Sequence, residues 1–177
     1  MTDERRGGDP LALAARLPRG SMLIFRHYEA PDRSVLAIKL AVIARKNHLK
    51  LLIAGDLALA MKARVGVHLP DGMARSASPR LRLWIRRGGT LTVAAHDRLG
   101  LRRAAALGAA AALLSPVFAT LSHPGAKPLG LPAFRRLARG TKRPVIALGG
   151  IDRTNVLQLN GAPIAGIAAV GAFSAQD

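Results

Sequence analysis

Several acidic, basic and imidazole side chains of this chain sit just downstream of short apolar runs, and that placement is the first sign of chemistry. Arg26-His27-Tyr28-Glu29 follows MLIF, Asp56 follows LLIAG, His68 and Asp71 lie in or after VGVHL, and His96-Asp97 follows LTVAA. Two carboxylates at neighbouring segment ends, Asp56 and Asp71, are what a hard cation such as Mg²⁺ binds when a diphosphate supplies further oxygens. Each also has a plainer reading. Asp56 precedes LALAMK and suits a helix N-cap, while Pro70-Asp71-Gly72 is a turn sequence. His96 beside Asp97 offers a proton-transfer or orienting pair. His68, inside an apolar run, reads as a buried imidazole with its hydrogen bonds met.

A second group of residues could receive an anion without using charge. In LLSPVFATLSHPGAKPLG, Thr120 and Ser122 straddle Leu121, so both hydroxyls face one side of an extended loop, with His123 beside them. IALGGID and AAVGAF close the last two apolar runs. Gly149, Gly150, Gly171 and Ala172 there would let a phosphoryl group approach main-chain N–H donors. Tight packing of the backbone is the other reason for glycine at such points.

The elements that must position these groups follow from hydrophobic patterning. MLIF, LKLLIAG, VGVHL, TLTVAAH, AAALLS, PVIALGG and AGIAAVGAF are continuously apolar, as strands buried on both faces are. Between them, Val35 to Lys46, Leu99 to Gly108 and Leu131 to Gly140 carry apolar residues at helical spacing. In the first, Leu36, Leu40 and Ile43 form the stripe. Strand and helix in alternation predict an α/β fold with a parallel sheet. The convergence of His68, His96, Ser115 and Gly149-Gly150 at segment ends favours a single (β/α)₈ TIM-barrel domain over an open sheet. Seven strands are countable, and the opening MTDERRGGDPLALAARLPRG supplies a loop and a helix around Pro10 to Leu17. The barrel is therefore expected to be incomplete at its N-terminus, with strand edges that something must cover.

Composition narrows the function classes. The chain has 177 residues and no cysteine, which removes disulfides, thiolate nucleophiles and cysteine-held metals from consideration. Half of the residues are apolar, yet no run approaches the roughly 20 needed to span a bilayer, and the N-terminus lacks an apolar signal core. A cytoplasmic protein with no membrane association is expected. The formal charge of +17 invites a polyanion, but one Trp, one Tyr and four Phe leave little for stacking on bases. The charge is read as coating outer helices, with specific nucleic-acid binding disfavoured. A homodimer is compatible with the pattern, although no face is singled out.

In order along the chain, TDER, FRHY, LLIAGD, GVHL, LTVAAHD, LLSPVFATLSHPGAKPLG, PVIALGGI and AGIAAVGAF resemble the thiamine phosphate synthase and TenI-like group of barrels. The resemblance implies joining of hydroxymethylpyrimidine diphosphate to a thiazole phosphate, with Mg²⁺ on the departing diphosphate and phosphorylated small molecules as substrates. By the same resemblance Asp56 is similar to the family's metal-binding Asp, with Asp71 as a displaced second carboxylate. Arg26 is similar to its diphosphate-binding Arg, Thr120 and Ser122 to its Thr-x-Thr, and Gly149-Gly150 to its phosphate loop. The first strand's Thr-Asp is present as Thr2-Asp3. Departures fall on the diphosphate half: Tyr28 stands in place of a Lys, Gly55 in place of an Asn, Ala94 in place of a Ser and His123 in place of a Lys. Three activities are therefore set side by side. They are the synthase, a TenI-like thiazole tautomerase or thiazole-phosphate binder in which His96 and His123 move protons, and a basic barrel that associates with polyanions.

Overall fold

In the computed structural model, which describes residues 1–4, 8–120, 125 and 127–170, each of the seven apolar runs becomes a strand. They are β1 (Met22–Phe25), β2 (Lys50–Ala54), β3 (Gly66–Leu69), β4 (Leu91–Ala95), β5 (Ala111–Leu114), β6 (Val145–Leu148) and β7 (Gly166–Ala168). All pair in parallel and in chain order, each with the next. AGIAAVGAF contributes only three residues to β7, fewer than its apolar length suggests.

The helices are α1 (Pro10–Arg16), α2 (Arg33–Lys46), α3 (Leu57–Ala63), α4 (Asp71–Ala74), α5 (Pro79–Arg86), α6 (Arg98–Ala106) and α7 (Gly130–Arg139). Side chains alternate across each strand, so the sheet has two apolar faces. Leu23, Phe25, Ile53, Val67, Val93 and Leu114 face outward onto Leu40, Leu101 and Phe134 of the helices. Ile24, Leu52, Ala54 and Leu113 face inward with Met22, Ile146 and Leu148 and fill the middle. Full burial of each large side chain contributes about 1.5–3 kcal/mol relative to exposure.

The face that α2 buries differs from the stripe expected from sequence. Ala37, Leu40, Ala41 and Ala44 are buried, while Leu36 and Ile43 lie at the flanks. Alanine on the contact side lets the helix axis approach the sheet, and the larger residues then close the edges of the contact.

Among the described residues β1 pairs only with β2 and β7 only with β6, so the barrel has a seam. Its upper end is bridged by the first two residues: the Met1 amine donates to the carbonyl of Ala169 at 2.8 Å, and the Thr2 amide donates to that of Ile24 at 2.9 Å. Below the bridge lies a cavity of about 200 Å³, lined by Leu13, Leu17, Met22, Leu113, Ile146 and Ile167 among others. The fold is thus an incomplete barrel of seven parallel strands. No helix among the described residues is long and apolar enough to cross a membrane.

Candidate functional site

Parallel strands end on one side, so the residues that follow them share one mouth. Arg26 continues the inward alternation of Met22 and Ile24, and its main-chain amide donates to Thr2 Oγ1 at 3.0 Å. Its guanidinium stands 3.8 Å from Asp3. His68 on β3 lies opposite Thr92 on β4, with Nδ1 and Oγ1 2.9 Å apart, and is 4% exposed. Burial, and then the charge of Arg26, push its pKa down to about 4, so the imidazole is neutral at pH 7. His68 is therefore the buried, hydrogen-bonded group that its apolar surroundings imply.

His96 behaves differently. Its Nδ1 lies 2.9 Å from the carbonyl oxygen of Ser115, which can only accept, so Nδ1 must carry the proton. Ser115 Oγ approaches the same nitrogen at 3.3 Å. The neutral ring then has its lone pair on Nε2. Asp97 takes no part, because its extended backbone turns the carboxylate the other way and Oδ1 accepts the Gly100 amide at 2.7 Å, capping α6. The orienting partner of His96 is thus the β5 terminus rather than its sequence neighbour.

The two candidate metal carboxylates are engaged by nitrogen donors. Asp56 Oδ1 accepts the Leu59 amide at 2.8 Å as the cap of α3, and Oδ2 accepts from Arg33 at 3.2 Å. Arg33 also donates to the Ala54 carbonyl at 2.7 Å and sits over the rings of Phe25 and Tyr28. Asp71, the first residue of α4, binds Arg75 through Oδ2 and Arg103 through Oδ1. Burial acts to raise its pKa, but the hydrogen bonds and charges of Arg103 and Arg75 hold the carboxyl below the usual carboxylate range.

Gly149 and Gly150 have φ of +98° and +65°. A Cβ on Gly149 would lie 2.7 Å from Pro116, and one on Gly150 would overlap the Ala119 carbonyl oxygen. The loops after β5 and β6 are zipped together by Val117 donating to Leu148 and Phe118 donating to Gly149, both at 3.0 Å. The packing reason for these glycines is therefore met. Thr120 is the last described residue before a break in this loop. Ser122, His123, Gly171 and Ala172 lie outside the described residues.

Residues 3–173 match the thiamine monophosphate synthase family. The chain belongs to that family. It is 32% identical over 182 residues to a putative thiamine-phosphate synthase 2 of Aquifex aeolicus, covering 98% of this chain and 95% of that one. A thiamine-phosphate synthase of Gloeobacter violaceus is 36% identical over 176 residues, 94% of this chain but 48% of its own length. In fold, the chain is similar to a thiamine phosphate pyrophosphorylase from Pyrococcus furiosus, with a TM-score of 0.80, 21% identity and coverage of 99% and 86%.

In this member of the thiamine monophosphate synthase family, Asp56 and Asp71 are the donors that would face the Mg²⁺ implied by the family resemblance. Every oxygen of Asp56 and Asp71 already accepts from an amide or a guanidinium. No group of three carboxylate or imidazole side chains converges among the described residues. A hard cation arriving at either carboxylate would share it with a guanidinium already bound there.

Arg33, Arg103 and Thr92 complete the site, and no sequence pattern marks the two arginines. Each acts on a residue from another segment: Arg33 on Asp56, Arg103 on Asp71 and Thr92 on His68. A local signal exists only for Thr92, two positions before Ala94 in a run where alternate residues face inward.

Proposed function

We propose that this chain binds a phosphorylated thiazole in the barrel mouth and moves a proton on it, without a metal ion. The observation that carries this reading is a histidine at a strand end whose tautomer is set, together with the engagement of both expected metal carboxylates by arginines. The Ser115 carbonyl holds the proton on Nδ1, so His96 Nε2 accepts a proton from a ring carbon and returns it elsewhere on the ring. Arg26 supplies positive charge in the mouth for the phosphoryl oxygens of the ligand. Main-chain amides around Gly149 and Gly150, the Thr120 hydroxyl and Ser122 are assigned to the phosphate by resemblance, Gly171 and Ala172 by their place at the end of the last apolar run, and His123 by its place beside Ser122.

A second reading is the full condensation with hydroxymethylpyrimidine diphosphate, favoured by family membership and by Arg26 in the mouth. It asks Asp56 and Asp71 to hold Mg²⁺ beside or in place of their arginines once diphosphate arrives. One experiment separates the two. Purified protein is titrated with thiazole phosphate in EDTA and in Mg²⁺, then given both substrates while thiamine phosphate is followed. Equal affinity in both buffers, solvent deuterium entering the thiazole, and loss of that exchange in His96→Gln support proton transfer. Thiamine phosphate formed only with Mg²⁺ replaces it with the synthase reading.

A further inference from the structure

Away from the mouth, a groove of about 580 Å³ separates α6 from α7 on the outer surface. Its rim carries Arg98 and Arg102 from α6, Arg136 from α7 and Lys142 just beyond it, all exposed. Its floor is apolar, formed by Leu101, Ala105 and Leu137. No carboxylate lines it, and none of the four cations forms an ion pair among the described residues, whereas Arg26, Arg33, Arg75 and Arg103 each have an acidic partner.

This imbalance extends through the surrounding chain. From Asp97 to Asp152 there is no intervening acidic residue, against nine Lys and Arg. Arg98 and Arg102 stand one turn apart on α6, a like-charge spacing that weakens a helix. Helix stability therefore does not explain the arrangement, and the rim calls for external negative charge.

The shape narrows what supplies that charge. A second copy of this chain is a poor source, because at +17 it repels another copy and carries ten acidic residues against 27 basic ones. A nucleic-acid strand would leave the apolar floor uncovered, and no aromatic side chain in the lining stacks on a base. A flat anionic bilayer does not reach a floor recessed between two helices. A helix with leucines on one face and carboxylates beside them fills both parts at once.

We infer that the α6–α7 groove docks an acidic amphipathic helix of a partner protein, its apolar face on Leu101, Ala105 and Leu137 and its carboxylates on the four rim cations. The test uses the whole chain and a fluorescent synthetic peptide with Leu on one helical face and Glu on the flanks. Its controls are a scrambled peptide of the same composition, a single-stranded oligonucleotide and phosphatidylglycerol vesicles. Expected are saturable binding of the amphipathic peptide, weaker binding of the scrambled one, and a loss of about tenfold in Arg102→Glu/Arg136→Glu, given the small worth of each exposed pair. Ala105→Glu, which places a carboxylate on the floor, should weaken binding as well. Circular dichroism checks the fold of both variants, and wild-type discrimination between the two peptides does not depend on either. Equal binding of both peptides, no binding of either, or tighter binding of oligonucleotide or vesicles that the double variant also loses would overturn the inference.

Discussion

Asp71 holds two arginines that differ in exposure, and this difference predicts what their loss costs. The Arg103 side chain is 18% exposed and that of Arg75 is 67% exposed. Asp71→Asn leaves Arg103 half-buried without its counter-charge, and we expect a loss of about 1–3 kcal/mol in urea unfolding at pH 7. Arg75→Ala should change stability by less than about 1 kcal/mol, because an exposed pair is screened by water. Gly150→Ala should cost at least about 1 kcal/mol in the same measurement, since the new methyl meets a carbonyl oxygen at a left-handed φ. His68 gives a pH signature. Its folded pKa of about 4 lies below the unfolded value of 6.5, so between them the unfolded chain binds the extra proton. Stability should therefore fall as pH drops from 6.5 to 4, by at most about 1.4 kcal/mol per unit from this group. His68→Asn should flatten that part of the profile, and an unchanged slope would show that another group titrates there.

At the scale of the element, Asp97 shows how a helix cap can pass for part of a site. It follows His96 at a strand end, where acid–base pairs also occur, yet its carboxylate closes the first turn of α6. Asp97→Ala should cost about 1 kcal/mol of stability. The pH dependence of proton exchange on a bound thiazole should be unaltered, because Ser115 rather than Asp97 orients the ring. A shifted pH profile would restore the His96–Asp97 pair. Asp56 combines both roles, capping α3 through one oxygen and binding Arg33 through the other. Its cap was foreseeable from the following LALAMK. The arginine was not, because Arg33 comes from α2 and reaches it across the strand order.

For the molecule as a whole, the seam is the element of weakness. Among the described residues β1 and β7 each have one hydrogen-bonded neighbour, and only Met1 and Thr2 bridge them at the top. Amide exchange should be faster in β7 and in the lower part of β1 than in β3 and β4, which are paired on both sides. Uniform protection across the sheet would mean that the seam is closed in solution.

Strand number, parallel pairing and the strand-end positions of Arg26, His68 and His96 could be read from residue order, because buried parallel strands are continuous apolar runs and their polar ends share one side. The short-range features, the caps at Asp56 and the glycine turns at Gly149 and Gly150, could also be anticipated, since their partners lie within a few residues or in the next loop. The pairing of Asp56 with Arg33, of Asp71 with Arg103 and of His96 with Ser115 could not. Charge and hydrogen bonding act over a few ångströms in space, and nothing in one segment records which side chain another segment will bring within that reach.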